Sequence, residues 1–346
     1  MYRIPGCFRV AQAVGPSCGL RCLVFHNIAD SETAFTAGIR VTISPREFEN
    51  ALQFLTAHYT PVSLTDVLSD GEGKGLPARP VLVSFDDAYA SVYDYAAPLC
   101  RKYRVPAVFF VNGSCLDNRR LLPDNLICYV ASLQGMSAVA AAARSVPGFE
   151  SAALSSLNEV FGTFLPSLSL AERDQFLDAI RRAAGVEESG MAAAAKLYLT
   201  SNQLRELLDA RFEIGNHTYT HTYSRRLSRA ELAAEITRNK EELECASGQT
   251  VRAFSQPYGS SQDLVPDVVN YLKASGHKAV FLSESVVNRR DANPYHLDRV
   301  STCARDHADL FLDLEIKPRL RAIRNRYIRR TVSESSSSAH PQSAEI

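Results

Sequence analysis

Two adjacent carboxylates are the first residues in the chain whose position suggests chemistry. Asp86 and Asp87 directly follow the apolar run at residues 81–85, which is rich in β-branched and aromatic side chains. Such a run predicts a strand buried on both faces. Open α/β sheets and α/β barrels carry their sites at the C-terminal ends of strands, so we expect the two acids to lie at such a site. The alternative is that they only cap a helix beginning near Ser91.

A pair of histidines forms the second feature of this kind. His217 and His221 are four residues apart, and they follow another short strand-like run at residues 212–214. This spacing predicts that both imidazoles lie on one side of a helical turn, close enough to share a metal ion. Two histidines and one carboxylate, with an open position, form a recurrent catalytic zinc site. A surface pair without function remains the alternative.

The composition limits the kinds of protein that the chain can be. Its 346 residues allow one large α/β domain or two smaller ones, and 46% hydrophobic residues are enough for a sizeable core. The 38 basic and 38 acidic residues balance, which gives no reason to expect nucleic acid as a partner. None of the eight cysteines forms a Cys-x-x-Cys pair, so a structural zinc ribbon is not expected.

The chain shows no signal for crossing a membrane. No run approaches the roughly 20 apolar residues of a membrane span. Residues 1–20 lack a continuous apolar stretch and are interpreted as an irregular leader rather than a signal peptide. We therefore expect a cytoplasmic protein.

Strand and helix signals alternate along most of the chain. Further strands are predicted at residues 21–25, 61–64, 106–111, 212–216, 251–255, 278–282 and 296–302. The first of them ends at His26. Helix starts carry capping patterns, as at Ser44-Pro45 and Ser228. Repeated strand–helix units predict a parallel sheet, either open or closed.

Two regions depart from this alternation. Residues 118–199 are rich in Ala, Leu and Ser and carry no strand signal, so we interpret them as a helical insertion between two strands of a domain at residues 21–316. Residues 317–330 are strongly basic, and a surface helix that contacts anionic lipid is one hypothesis for them. The alternative is a solvated helix face. Residues 331–346 are polar and predicted to be disordered.

Three stretches, in this order, give the chain a family resemblance. They are Ser-Phe-Asp-Asp at 84–87, His-Thr-Tyr-Thr-His at 217–221 and Phe-Ser-Gln-Pro-Tyr-Gly at 254–259. Together they resemble the polysaccharide deacetylases, the NodB-homology group or carbohydrate esterase family 4. The resemblance implies a distorted (β/α)7 barrel with a helical insertion, a divalent metal such as zinc, and removal of acetyl from an N-acetylated amino sugar.

The resemblance also implies roles for individual residues. Asp86 matches the catalytic base, whereas Asp87, His217 and His221 match the metal ligands. Tyr258 matches the residue whose backbone N–H helps to hold the oxyanion. His26 is similar to the strand-end histidine that acts as acid in a subgroup acting on secreted β-linked glucosamine polymers.

Three departures from the family pattern bear on this assignment. Ala88 replaces the usual Gly after the acid pair, and Ser255 stands where many members carry an Arg that orients the base. No Leu-x-His occurs near the C-terminus, where many members keep their acid. The last two departures also occur in the subgroup with the N-terminal histidine, which favours His26 as the acid and leaves His296 as the second choice.

The sequence therefore supports two functions of different classes. The first is a metal-dependent N-deacetylase acting on an amino-sugar-containing glycan or its precursor. The second is a sugar-binding pseudoenzyme that keeps the barrel and the metal site. A phosphoester hydrolase has little support, because the chain has no Gly-rich phosphate loop.

Overall fold

Short apolar strands build the core of the molecule. The computed structural model describes residues 19–70, 75–185, 188–303 and 306–321. Every residue of the strands Pro80–Phe85 and Ala107–Val111 is buried, as expected for strands covered on both faces. The strands are β1 (Arg21–Phe25), β2 (Asn27–Ile28), β3 (Thr42–Ile43), β4 (Thr60–Pro61), β5 (Pro80–Phe85), β6 (Ala107–Val111), β7 (Glu213–Asn216), β8 (Ala253–Ser255), β9 (Ala279–Phe281) and β10 (Val300–Ser301).

The main sheet is parallel and curls into a barrel. Its strand order is β10-β1-β5-β6-β7-β8-β9, and β4 pairs with the start of β5. Phe281 of β9 forms a parallel bridge with Leu297, which lies just before β10. The segment that ends in β10 therefore joins β9 to β1 and brings the two sides of the sheet together. This is the (β/α)7 barrel that the family resemblance implied.

The register brings the ends of neighbouring strands together at one rim. Phe25 pairs with Phe85, and Val111 pairs with Asn216. The backbone N–H of Asp86 donates to the Phe25 carbonyl at 3.0 Å. Residues that follow β1, β5 and β7 consequently lie at the same rim of the barrel.

Helices surround the barrel. They are α1 (Pro45–His58), α2 (Leu64–Asp70), α3 (Ala97–Tyr103), α4 (Pro123–Gln134), α5 (Met136–Arg144), α6 (Leu157–Glu159), α7 (Leu165–Ser167), α8 (Leu170–Ala184), α9 (Glu188–Ala195), α10 (Ser201–Asp209), α11 (Arg229–Leu232), α12 (Arg238–Ser247), α13 (Pro266–Ala274) and α14 (His307–Phe311). Single π-helical turns lie at Val92–Ala96, Val160–Phe164, Ala233–Thr237 and Leu312–Ile316, and 3₁₀ turns at Gly113–Asn118, Pro257–Gly259 and Ser261–Asp263. No helix in the described ranges is both long and apolar enough to span a membrane.

Helix boundaries follow the predicted capping residues. Ser44, Ser169 and Ser228 each accept a hydrogen bond from the backbone three residues later, in complete capping boxes. Gly185 ends α8 with φ +68°, the left-handed conformation in which glycine carries no steric cost. Pro98 lies in the first turn of α3, directly after a π-helical turn.

The chain between β6 and β7 is helical. Apart from an isolated bridge at Tyr198, the described part of residues 112–212 contains no strand. Phe164 and Phe176 meet edge to face, with ring centroids 5.1 Å apart, inside the main hydrophobic cluster. The insertion therefore shares its core with the barrel instead of forming a core of its own.

Two predicted strands differ most from the sequence expectation, and each forms only two residues of strand. Residues 61–64 were expected to be a strand, but α2 already begins at Leu64, because the Glu213 carboxylate accepts from the backbone N–H groups of Leu64 and Thr65. The last strand was expected at 296–302 but covers only Val300–Ser301. A turn closed by the His296 N–H and the Asn293 carbonyl precedes it.

Several predictions fall on residues that lie outside the described ranges. These are most of the leader at 1–20, most of the basic segment at 317–330, and the tail at 331–346. Contact of the basic segment with a membrane and the cytoplasmic location remain predictions.

Glu315 anchors the C-terminal end of the described chain to the rim opposite the predicted site. Its carboxylate is buried and pairs with Arg21, at the start of β1, at 2.9 Å. It also accepts from the Tyr59 hydroxyl at 2.5 Å and pairs with Arg319 at 3.0 Å. A buried carboxylate with three such partners fixes this segment against the barrel.

Close strand packing in the barrel gives a stability prediction. A Cβ added to Gly215 would lie 2.3 Å from the buried Phe110 ring. We expect Gly215→Ala to destabilise the protein by about 1–3 kcal/mol through overpacking. Gly162→Ala, in open space at a helical position, should be neutral or stabilise by up to about 1 kcal/mol. Urea unfolding of both variants checks this, and equal midpoints would contradict the packing argument.

Candidate active site

The predicted site residues converge in one pocket. Asp86 and Asp87 follow β5, His217 follows β7, and His26 follows β1. They line a pocket of about 340 Å³ together with Ile39, Val41, Asp124, Phe161, His221, Gln256, Tyr258, Gly259, Ser283 and Ser301. A larger groove of about 990 Å³ lies between α11–α12 and α13, but within the described residues it holds no group of metal-ligating side chains.

Asp87, His217 and His221 form a cluster suited to a metal ion. Oδ1 of Asp87 lies 3.3 Å from Nε2 of His217 and 3.4 Å from Nε2 of His221. Ligand atoms about 2.0–2.1 Å from a tetrahedral zinc are about 3.3 Å apart, so these separations fit one ion held by all three. The same Asp87 oxygen is buried and has no hydrogen-bond partner among the described residues. The three side chains thus present free electron pairs to a common point.

The two histidines lie on a loop, and the prediction of a helical turn is wrong. Thr218 and His221 have φ of +60° and +52°, which an α-helix does not allow. Buried side chains satisfy the loop backbone in place of helical hydrogen bonds. The Asn112 amide donates to the carbonyls of His217 and Thr218, and the Glu235 carboxylate accepts from the N–H of Thr220.

Each histidine is oriented through its second ring nitrogen. Nδ1 of His217 lies 2.8 Å from the Ser255 carbonyl, which makes this nitrogen the donor and leaves Nε2 free to bind a metal. Nδ1 of His221 lies 2.5 Å from Oδ2 of Asp124. In the latter contact the ring N–H is not aligned for a straight hydrogen bond.

An arginine that the sequence analysis missed holds Asp86. Nη1 and Nη2 of Arg299 contact the two carboxylate oxygens of Asp86 at 2.7 Å each, and Arg299 is fully buried. Nη2 also donates to the Ser255 hydroxyl at 2.7 Å, which in turn donates to Asp86 at 3.1 Å. The Arg expected at position 255 is thus replaced by Ser255 together with Arg299, which precedes β10. The sequence signal was an Arg within a predicted apolar strand.

These contacts set the charge state of the carboxylates. Burial alone would raise the pKa of Asp86, but the Arg299 guanidinium and the neighbouring His217 bring it below the usual value. Burial also opposes ionisation of Asp87, but the neighbouring His221 and His217 bring its pKa well below the usual value for an aspartate. Neither carboxylate caps a helix, so the alternative offered for the acid pair does not hold among the described hydrogen bonds.

His26 faces the same pocket without a fixed partner. Within the described residues its ring makes no hydrogen bond, so it is not a strand-end histidine tied to the backbone. Enclosure by the protein lowers its pKa from the ordinary 6.5, although Asp87 and Asp86 act in the opposite direction. A lowered pKa makes the protonated form scarcer but a stronger acid.

Tyr258 forms an aromatic wall of the pocket. It has φ +61° in the turn after β8, and its ring stacks on Tyr223 with a centroid distance of 3.9 Å. Its hydroxyl donates to Asp124 at 3.0 Å. Phe161, from the helical insertion, stacks on the outer side with centroids 6.4 Å apart.

His296, the second choice for the acid, is not part of this pocket. It is exposed and lies beside Glu284 and Asp298, with ligand atoms of the three residues within 4.8 Å of one another. The structure therefore brings together His26 and the other five predicted residues, and leaves His296 out.

Comparison with known proteins agrees with this geometry. The family model described as polysaccharide deacetylase matches residues 73–145 and 165–281. A poly-β-1,6-N-acetyl-D-glucosamine N-deacetylase from Staphylococcus epidermidis is 32% identical over 71 residues, which are 20% of this chain and 25% of that protein. The protein of the same name from Escherichia coli K12 is 30% identical over 109 residues, or 31% of this chain and 16% of that protein. The matched stretch thus spans a quarter or less of these relatives.

Solved structures share the fold over most of the chain. IcaB from Ammonifex degensii aligns with a TM-score of 0.55 and 20% identity, covering 86% of this chain and 97% of that one. The Streptococcus pyogenes deacetylase PplD aligns with a TM-score of 0.58 and 14% identity, covering 87% and 100%. Since the family model covers more than half of the sequence, the chain belongs to the polysaccharide deacetylase family.

Proposed function

We propose that this protein is a metal-dependent hydrolase that removes N-acetyl groups from an amino-sugar-containing glycan or its precursor. One observation carries the proposal. The pocket holds three candidate metal ligands, Asp87, His217 and His221. Directly beside them lies a second carboxylate, Asp86, which a buried arginine keeps ionised. Amide hydrolysis needs both a Lewis acid and a base at one point.

Zinc is the metal that the donor set favours. Two imidazoles and one carboxylate, with room for a further ligand, form a common catalytic zinc site. When bound, the ion would polarise the acetyl carbonyl and lower the pKa of a water molecule toward about 7.

Asp86 is the proposed base. Because its pKa lies below the ordinary value, it is ionised near neutral pH and can accept a proton from water. Arg299 and Ser255 occupy one side of the carboxylate and fix its plane, while Oδ2 lies 3.6 Å from Nε2 of His217, toward the metal cluster. The base thus faces the place where the attacking water would bind.

His26 and Tyr258 are assigned to the other side of the reacting amide. A protonated His26 would donate to the departing amine, which is a poor leaving group when unprotonated. The backbone N–H of Tyr258 would donate to the oxygen that gains negative charge. The rings of Tyr258 and Phe161 line the pocket and give it an apolar face against which a sugar ring can pack.

The substrate class is proposed from relatives. The curated relatives are named for poly-β-1,6-N-acetyl-D-glucosamine. A β-linked N-acetylglucosamine polymer or its precursor is therefore the first substrate to test. The residues that the family model matches include Asp86 and Asp87. The pseudoenzyme alternative loses much of its basis, because Arg299 supplies the base partner that position 255 lacks.

Acetate release tests the proposed function. Oligomers of β-1,6- and β-1,4-linked N-acetylglucosamine and a nucleotide-linked N-acetylglucosamine form the panel. We expect acetate and free amine from at least one of them, loss of both after chelation, and recovery with added zinc. Asp86→Asn is the matched control, and it should keep the metal but release no acetate, because an amide cannot take the proton.

Metal binding by the wild type without acetate from any N-acetylated sugar would favour the pseudoenzyme. Near-full activity of Asp86→Asn would show that Asp86 is structural.

The assignment of His26 as the acid predicts a selective loss. His26→Ala should leave the metal content unchanged and lower kcat/KM by roughly 10²–10⁴-fold, the usual contribution of a positioned acid. His296→Ala should behave as the wild type, because His296 lies outside the pocket. Kinetics and metal analysis of both variants decide between the two histidines, and the reverse pattern would transfer the acid role to His296.

Arg299 should be necessary for catalysis through its geometry as well as its charge. Arg299→Gln leaves the buried Asp86 carboxylate without its cation, which costs about 3–5 kcal/mol in such sites. Arg299→Lys keeps the charge but cannot make the two-point contact. We expect Arg299→Lys to fold, to bind metal and to lower kcat with little change in KM. A wild-type kcat in Arg299→Lys would show that the charge alone is enough.

A further inference from the structure

Asp124 contacts the candidate active site from outside the barrel. It lies in the first turn of α4, in the helical insertion between β6 and β7, and its side chain is only 13% exposed. Nothing in the family motifs of this sequence includes it. Both of its carboxylate oxygens nevertheless contact residues assigned to the reaction.

The first contact is with a proposed metal ligand. Oδ2 of Asp124 lies 2.5 Å from Nδ1 of His221, whose Nε2 faces Asp87 at 3.4 Å. A carboxylate at Nδ1 keeps the proton on that nitrogen and the electron pair of Nε2 directed at the metal position. Nδ1 of His217 is held in the same way by the backbone carbonyl of Ser255, which a side-chain substitution cannot remove.

The second contact is with the proposed oxyanion donor. Oδ1 of Asp124 accepts from the Tyr258 hydroxyl at 3.0 Å. Tyr258 has φ +61°, in the left-handed region, and contacts of its side chain restrain the turn that carries its N–H. Tyr223 fixes the ring plane by stacking, and Asp124 fixes the ring along its long axis.

The first turn of α4 is itself rigid. Asn125, the next residue, is fully buried and donates to the Tyr89 hydroxyl at 2.7 Å and to the Phe35 carbonyl at 2.9 Å. It also accepts from the Tyr198 hydroxyl at 2.5 Å. Pro123 at the start of the helix restricts the backbone further. The backbone of Asp124 is therefore held in one position by the buried contacts of its neighbours.

We propose that Asp124 is a positioning residue that holds His221 for metal binding and Tyr258 for transition-state binding, and that the helical insertion is in this way a working part of the active site. The inference rests on the proposed function for the identity of the metal site. It goes beyond that function, because it assigns the helical insertion a role in metal affinity. This role does not depend on any contact between the insertion and the substrate.

Metal affinity in the absence of substrate tests the proposal. Zinc binding is measured by competition with a chromogenic chelator for the wild type and for Asp124→Asn, Asp124→Glu and Tyr258→Phe. We expect Asp124→Asn to bind zinc about 10–100-fold more weakly, the usual effect of losing a carboxylate behind a histidine ligand. Asp124→Glu keeps the charge and should recover part of the loss. Tyr258→Phe keeps the ring stack and the metal affinity, but should lower kcat.

The comparison separates positioning from folding. Asn and Glu variants that unfold at the same temperature but differ in zinc affinity would support a role through charge and contact. Wild-type zinc affinity in Asp124→Asn would overturn the proposal, as would an equal loss in Tyr258→Phe. Because zinc binding is measured without turnover, a wild type that binds zinc but releases no acetate would defeat the proposed function and leave the role of Asp124 in holding His221 for the metal standing.

Discussion

Two adjacent carboxylates buried at the end of a barrel strand are the constraint on which the rest of the site depends. Asp86 and Asp87 are 3% and 7% exposed, and a charge at such depth costs several kcal/mol unless it is compensated. The protein compensates them differently. Asp86 receives a permanent cation, Arg299, whereas Asp87 faces only two imidazoles. The first arrangement suits the proposed base, and the second leaves a negatively charged position that a metal ion can fill.

The residues that surround the two carboxylates come from different elements of the fold. The strand segment before β10 supplies Arg299, β8 supplies Ser255, and the loop after β7 supplies both histidines. The helical insertion adds Asp124 and Phe161 from the other side. The barrel therefore provides most of the residues of the candidate site, while the insertion contacts His221 and Tyr258 through Asp124 and lines the pocket with Phe161.

Local patterns in the sequence predicted much of this arrangement. The features that depend on contacts between distant residues were not predicted. A buried strand followed by Asp86-Asp87 is a local pattern, and parallel pairing then brings it to the rim that carries His26. The helical turn at His217 was wrong, because spacing alone cannot show that Asn112, more than a hundred residues earlier, replaces the helical hydrogen bonds. Arg299 and Asp124 were missed for the same reason. One resembles a stray charge in a strand, and the other an ordinary acid in the first turn of a helix.

The closure of the barrel also has a consequence for how the protein is made. The guanidinium that neutralises Asp86 comes from a residue 213 positions later, and β1 finds one of its two partners in β10. Pairings of such sequence separation form late, because the entropy of closing the loop must first be overcome. During synthesis, β1 and β5 leave the ribosome well before the segment that contains Arg299. Until that segment docks, the Asp86 carboxylate lacks the Arg299 cation, and the nascent barrel is open on the side of β1. Closure of the barrel and completion of the candidate site are thus the same event.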